Sequence, residues 1–324
     1  MSYQPPYTLT DEIISLVAEI GDLLGAIRLQ LSEESALRLR RINRIRTVTG
    51  SLAIEGNTLS EQQVTAILDG KRVIAPPREV REASNALAAY EQMADWNPLQ
   101  ESDLLTAHRV MMLGLIDSAG IYRQGGVGIM AGDEVQHIAP PPSQVARLMT
   151  DLFQWAASTN AHALIASSVF HYEFEFIHPF ADGNGRMGRL WQTLLLSRWQ
   201  PLFSDIPVES LIHDHQADYY QALQQATAQT DCAPFILFML MMIRDGLSVS
   251  SIDQVTDQVT DQVKNLLAVM GDGYLSAKEL MERLSLSHRP TFRDNYLTPA
   301  LQQGLVEMRD PDSPRSPRQK YRKK

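Results

Sequence analysis

The 324-residue chain holds one cysteine, Cys232, so no disulfide within the chain can support its fold. The residues around Cys232 have helical, core-like spacing, and the thiol is expected to be a buried apolar group in a reducing compartment. The N-terminus lacks the basic start and apolar run of a secretory signal. The one strongly apolar run, Phe235 to Ile243 (FILFMLMMI), is too short to cross a bilayer. Basic residues are in deficit: 29 Lys and Arg against 38 Asp and Glu leave a formal net charge of -9. The chain as a whole is therefore not an electrostatic nucleic-acid binder. A cytoplasmic, membrane-free protein is expected. Apolar residues make up 44%, ordinary for a globular chain, and the length suffices for a large core and two domains.

What is present centres on His178-Pro179-Phe180-Ala181-Asp182-Gly183-Asn184-Gly185-Arg186-Met187-Gly188-Arg189. Apolar segments of helical spacing flank it, Ala163 to Ile177 before and Leu190 to Trp199 after, so the polar stretch reads as a loop between two core helices. Gly183 and Gly185 flank Asn184 and permit positive φ and close approach. Successive N–H groups in such a turn form an anion nest, and a helix is expected to start at Asn184 or Gly185. Arg186 and Arg189 lie three apart on one face of that helix, where bidentate guanidinium contacts suit phosphate oxygens. Basic residues sit poorly at a helix N-terminus, so a bound anion or a carboxylate is expected beside them. Asp182 is a candidate Mg²⁺ ligand, since Mg²⁺ uses one or two carboxylates with phosphate oxygens. Histidine titrates near neutrality, and His178 is a candidate base for an attacking hydroxyl. Phe180 reads as a core residue pinning the loop.

This string resembles the Fic family motif HxFx(D/E)GNGRxxR and matches it at every specified position; Fic-like sequence covers about Thr10 to Ser250. A second string, Ser51-Leu52-Ala53-Ile54-Glu55-Gly56, resembles the family's (S/T)xxxE(G/N) inhibitory motif. Ser51 and Glu55 share a helical face, and Gly56 can end the helix in a left-handed cap. An acid in a last turn meets the unfavourable end of the dipole. By itself it reads as an exposed terminal glutamate. The resemblance implies instead that Glu55 pairs with Arg189 and keeps the ATP γ-phosphate from its position.

In chain order, helices are expected from Thr10 to about Leu31, from Ser32 to the inhibitory motif, over Leu59–Leu68, Arg78–Asp95 and Glu101–Leu115. The family often carries a glutamate and an asparagine in the fourth of these, where Glu82 and Asn85 share a face. His108 is read as structural. Val127-Gly128-Ile129-Met130, a turn at Ala131–Glu134, and Val135-Gln136-His137-Ile138 read as a β-hairpin. In Fic proteins such a hairpin is a flap that holds target backbone by strand addition; a plain surface hairpin is the alternative. Helices follow over Ser143–Ser158, Ala163–Phe176 and His213–Ala228. In the last, Tyr219 and Tyr220 are candidates to line an adenine pocket, with core packing as the alternative. After Ser250 come a Gln-Val-Thr-Asp repeat, helices over Ser276–Leu284 and Pro290–Gln303 capped near Ser287, a strand over Gly304–Met308, and a partner at Gln319–Arg322. This resembles a winged helix-turn-helix.

The expected fold is mainly α: a Fic-type helical bundle with a small hairpin flap, then a winged helix-turn-helix. The expected domains are 1–95, with the inhibitory helix around 44–56, then 96–250 and 251–324. The resemblance implies a protein adenylyltransferase that moves AMP from ATP to a Ser, Thr or Tyr hydroxyl of a protein target; the sequence leaves open whether the chain is itself a target. ATP and Mg²⁺ are the implied substrate and cofactor. Removal of AMP, transfer of another nucleotide, and a DNA-binding regulator that senses nucleotide are the alternatives. The sequence leaves open a homodimer and a DNA or protein contact through 255–324.

Overall fold

Apolar residues recur at helical spacing along most of this chain, and the computed structural model is accordingly helical. It describes residues 3–30, 33–131, 134–257, 261–271, 273–284, 286, 288–302, 305–310, 316 and 319–324. The hairpin-turn residues Gly132 and Asp133, the Ser32 start, the Ser287 cap, Gly304 and the repeat residues 258–260 lie outside the described residues. So does most of the segment expected to bridge the last two strands. The chain divides into two compact units, Met1–Ser250 and Ser251–Lys324.

In the first unit, helix α1 (Asp11–Gln30) starts where the Thr10 hydroxyl accepts from the Ile13 N–H at 3.2 Å. Its buried stripe is Ile13, Leu16, Ile20, Leu24 and Ile27. Helix α2 (Glu33–Ile54) ends at Gly56, whose φ of 84° is the left-handed value that glycine adopts without a Cβ penalty. Helix α3 (Glu61–Leu68) opens on a reciprocal Ser60–Gln63 capping box. Helix α4 (Pro77–Gln92) has proline at its first position, where the missing N–H costs nothing. Helix α5 (Glu101–Met111) follows, then strands β1 (Gly128–Ala131) and β2 (Glu134–Ile138). These pair antiparallel, with a register shift between Ile129 and Met130. Helix α6 (Pro142–Ser158) leads to α7 (Ala163–Ile177) and α8 (Asn184–Trp199).

Helices α7 and α8 are buried on nearly every side, as helices at the centre of a large core must be. They pack on each other and hold the polar loop between them. Helices α9 (Val208–Asp214), α10 (Gln216–Gln229) and α11 (Ala233–Asp257) complete the surround. The helix expected over His213–Ala228 is broken at His215, whose φ and ψ are -113° and 33°; no Gly or Pro marks that break. Helix α9 lies on α2, and the backbones approach so closely that a Cβ on Gly50 would sit 2.7 Å from Ser210 N and Cα. Residues 1–95 thus share one core with the rest of this unit.

The second unit has its own core of Val263, Leu266, Met270, Leu280, Phe292, Leu297, Ala300, Val306 and Tyr321. Its elements are α12 (Asp261–Val269), β3 (Leu275–Ser276), α13 (Ala277–Arg283), α14 (Arg289–Phe292), α15 (Thr298–Gln302), β4 (Val306–Met308) and β5 (Lys320–Lys323). Ser276 and Glu279 cap α13 reciprocally. A π turn at Arg293–Leu297 interrupts what the periodicity reads as one helix. The two expected strands pair, and β3 adds to β5, giving the antiparallel order β3-β5-β4. Among the described residues no helix is long and apolar enough to cross a membrane.

Candidate active site

The site starts at the C-terminus of α7. His178 ends that helix in the left-handed region, at φ 49° and ψ 63°, which a residue bearing a Cβ adopts only under constraint. Its N–H reaches the Phe174 carbonyl at 2.9 Å. Arg123 supplies further constraint: Nε donates to the His178 carbonyl at 2.7 Å and Nη2 to the Ile177 carbonyl at 3.2 Å. The helix C-terminus thus receives a cation, which its dipole favours.

Phe180 is fully buried, and the ring of His108 stacks on it at 3.6 Å between centroids. Asn184 clasps the same residue: its Oδ1 accepts from the Phe180 N–H, and its Nδ2 donates to the Phe180 carbonyl, both at 2.9 Å. The Asn184 side chain is therefore a staple across the loop, and what it turns outward is backbone. Gly183 caps α8 at φ 85°, and a Cβ there would lie 2.6 Å from Met112 Sδ. The first N–H groups of α8 have no helical acceptor, by geometry, the kind of donor set that suits an anion.

His108, read from sequence as structural, is a support of this loop. It accepts from the Gly120 N–H at Nδ1 (2.8 Å), which leaves Nε2 protonated to donate to the Asp182 carbonyl at 3.0 Å. Burial pulls its pKa down to about 4, so the ring is neutral there. The Asp182 carboxylate accepts from Gly183 N–H at 2.6 Å and Arg186 Nη2 at 3.1 Å, and Arg78 Nη2 lies 3.4 Å from its other oxygen. Arg186, 4% exposed, also faces Glu82 at 3.9 Å. Glu82 in turn accepts from Arg78 Nε at 3.2 Å and from Asn57 Nδ2 at 3.0 Å. Asn85 caps the end of α5 through the Met111 and Leu113 carbonyls.

Arg189 projects one turn further into the core, with its side chain 1% exposed. Its Nε donates to Ser51 Oγ at 3.1 Å. Its Nη2 donates to the Ser51 carbonyl at 3.0 Å and to Glu55 Oε1 at 2.8 Å. Burial acts to lower the guanidinium pKa, and Glu55, together with Tyr219 and Glu175, more than offsets it, so the shift is upward. Glu55 lies against the first turn of α8: a Cβ on Gly185 would fall 2.3 Å from Glu55 Oε1. The carboxylate thus sits where the helix N-terminus and Arg189 both favour an anion. Gln216 holds the end of α2 from the other side, its Nε2 donating to the Ile54 carbonyl at 2.8 Å.

Of the adjacent tyrosines, Tyr219 is 2% exposed, packed against Phe235 and Phe238, with its hydroxyl 3.2 Å from His171 Nε2. Tyr220 is 46% exposed beside Gln216. Glu175 lies on α7, in its last turn. It is buried near Arg189, and a Cβ on Gly188 would fall 2.6 Å from its Oε1. Burial pushes its carboxyl pKa up to about 8, with Glu55 adding to the rise and Arg189 opposing it. Val127 precedes β1, and Gly128, Ile129 and Met130 pair with the Val135, Gln136 and His137 strand. No periodicity flags Arg123, Arg78, Asn57 or Gln216; only their neighbours in space do.

Among the described residues no group of three or more His, Cys, Asp or Glu could hold a metal ion. Asp182 is a single carboxylate with 38% of its side chain exposed, beside an anion-binding turn. That donor set fits Mg²⁺ arriving with a nucleotide, whose phosphate oxygens and water complete the shell; it does not fit a resident, all-protein metal.

Residues 98–196 match the Fic/DOC family, and residues 261–323 match the family described as Filamentation induced by cAMP protein Fic-like, C-terminal domain. The chain is similar to "Protein adenylyltransferase Fic" of Nematostella vectensis, 29% identical over 201 residues, which are 58% of this chain and 44% of that protein. The protein of the same name from Aedes aegypti is 30% identical over 208 residues, 60% of this chain and 39% of that one. The chain thus matches less than half the length of these relatives. In three dimensions it resembles Fic-1 of C. elegans, 23% identical with TM-score 0.64 over 76% of this chain and 73% of that one; this similarity speaks to the fold alone. It also resembles the crystal structure of a Fic family protein from Desulfovibrio desulfuricans G20. There the identity is 55% and the TM-score 0.75, over 99% of this chain and 98% of that one. With that likeness along the full chain, and with the loop, its two arginines and the opposed glutamate built as described, the protein belongs to the Fic family.

Proposed function

We propose that the chain is a protein adenylyltransferase, moving AMP from ATP to a Ser, Thr or Tyr hydroxyl of a protein, and that Glu55 holds it inactive. The observation that carries this reading is the Glu55 carboxylate on Arg189 Nη2 at 2.8 Å, pressed against Gly185. A carboxylate and a phosphate compete for one guanidinium fork and one helix N-terminus. The names of the curated relatives support the reaction class.

In the active form Glu55 swings away and Arg189 takes the γ-phosphate. Arg186 and the N–H groups of the Gly183-Asn184-Gly185 turn hold the α- and β-phosphates. Mg²⁺ on Asp182, when bound, offsets charge on the phosphates and on the departing pyrophosphate. His178 takes the proton of the target hydroxyl as that oxygen bonds to the α-phosphorus. The bond from the α-phosphorus to the α,β-bridging oxygen breaks, and pyrophosphate leaves with those electrons. Most of the acceleration is positioning and charge stabilisation. Tyr220, exposed at the edge of α10, flanks the adenine ring, and β1–β2 docks target backbone as an added strand.

The test is incorporation of α-labelled ATP into protein by wild type, Glu55→Gly and Glu55→Gly/His178→Ala, with Mg²⁺. Labelling that is weak in wild type, strong in the single variant and lost in the double variant is expected. Equal labelling by wild type and Glu55→Gly would refute the inhibition, and labelling by the double variant would remove His178 as base.

A further inference from the structure

Arg123 is 3% exposed, and among the described residues no carboxylate pairs with it. Its guanidinium spends its donors on four backbone carbonyls. Two belong to the end of α7: Ile177 at 3.2 Å and His178 at 2.7 Å. One is Gly125, on the approach to β1, reached by Nη1 at 2.9 Å. The fourth is Pro140, just after β2, reached by Nη2 at 2.5 Å. The Arg123 N–H adds a fifth contact, to the Pro179 carbonyl at 2.9 Å.

Burying an arginine without a counter-charge is costly unless something else takes up the charge. Here the C-terminus of the 15-residue helix α7 does so. A lysine or glutamine could satisfy one or two of these carbonyls. A planar guanidinium fork is needed to meet four that diverge. The carbonyls belong to two different devices, the backbone of His178 and both ends of the hairpin. His178 stands in the left-handed region, a conformation that persists only when its surroundings over-determine it.

We propose that Arg123 is a positioning residue that locks the base, His178, and the two ends of the β1–β2 hairpin into one body, so that a target strand docked on the hairpin presents its hydroxyl to the imidazole. This rests on the reading of His178 as base and of the hairpin as target dock. It separates two contributions: Arg123 governs how the acceptor meets the base, while Arg186, Arg189 and the α8 N-terminus govern the nucleotide.

The test uses the full chain as Arg123→Lys and Arg123→Gln, each alone and in the Glu55→Gly background. Hydrogen exchange is followed in peptides covering 124–141 and 177–183. Calorimetry with a non-cleavable α,β-methylene ATP and Mg²⁺ reports nucleotide affinity, and transfer from α-labelled ATP to the chain itself reports turnover. Exchange in both segments is expected to rise together, by about tenfold or more, in the order wild type, Lys, Gln, while the middles of α7 and α8 stay protected. Nucleotide affinity in the Glu55→Gly background should change by less than about threefold, and labelling should fall by roughly 10- to 100-fold, the scale of an ångström-level misplacement.

Faster exchange in the hairpin alone, with 177–183 and labelling unchanged, would reduce Arg123 to a hairpin staple and overturn the proposal. So would a loss of nucleotide affinity equal to the loss of labelling. If Glu55→Gly itself fails to label, the functional reading has failed; the paired exchange of the two segments then still decides whether the clamp exists. Arg123→Lys keeps the charge and part of the bonding, so it decides the matter should Arg123→Gln not fold.

Discussion

Glu55→Ala tests whether the anion site beside Arg189 is filled by the protein's own carboxylate. In the folded chain Arg189 keeps three donor contacts, two to Ser51 and one to Glu55. The variant removes the charged partner and leaves a guanidinium with its side chain 1% exposed. Breaking a fully buried pair costs about 3–5 kcal/mol. Glu55 is 33% exposed on its side chain, so water screens part of the interaction and the expected cost falls to about 1–3 kcal/mol. For a unit of this size, that lowers the melting temperature by roughly 2–10 °C without nucleotide. Addition of Mg²⁺–ATP should close the gap. A ligand at 100 times its dissociation constant stabilises by about 2.7 kcal/mol. The variant receives this in full, whereas wild type receives it less the free energy needed to displace Glu55. Thermal melts of both proteins, each with and without Mg²⁺–ATP, make a closed cycle. The reasoning is refuted if the two melt together without nucleotide and shift equally with it.

Three further perturbations follow from single contacts. Gly50→Ala would push a Cβ into backbone atoms of Glu209 and Ser210, which cannot swing aside, so α2 must lift from α9; a loss of about 1–3 kcal/mol is expected. ATP labelling should rise toward the Glu55→Gly level, and unchanged melting with wild-type labelling would contradict this. Asn184→Ala removes both amide contacts to the Phe180 backbone; calorimetry should find weaker nucleotide binding and melts a loss of about 1–3 kcal/mol. Glu175, with its pKa raised to about 8 by burial, keeps a proton that the unfolded chain releases. Its stabilising contribution is therefore full below the unfolded carboxyl pKa and is lost as pH rises toward 8. The slope is roughly 1.4 kcal/mol per pH unit across that window. Glu175→Gln should flatten this part of the stability–pH curve and melt above wild type at pH 8; parallel curves would count against the assignment.

Much of the site lies in one unbroken stretch, which is why it is legible. From Asp182 to Arg189 the relations that make the stretch readable are local: the glycine-permitted turn, the helix that starts at Asn184, and the two arginines three apart on it. The capping residues Thr10, Ser60 and Ser276, and Gly56 at the end of α2, are likewise local signals, and their helices start or stop there. A Ser four residues before a Glu, followed by Gly, likewise needs no tertiary information to be read as one face of a helix end. Tertiary structure decided what no local pattern encodes. Tyr219 and Tyr220 are neighbours with the same side chain, and only the presence of Phe235 and Phe238 on α11 determines that Tyr219 is the one in the core. His108 lies 74 residues before the carbonyl it supports, and Arg123 lies 55 before the His178 carbonyl it holds. The break at His215 carries no glycine or proline signal, whereas the π turn at Arg293–Leu297 is followed by Pro299, whose ring opposes a regular helical turn before it. The sequence by itself determined the chemistry at the loop, since helix and turn geometry fix residues a few positions apart. Which distant cations, carboxylates and carbonyls complete that chemistry depended on burial, where a charge must find its partner wherever the fold provides one.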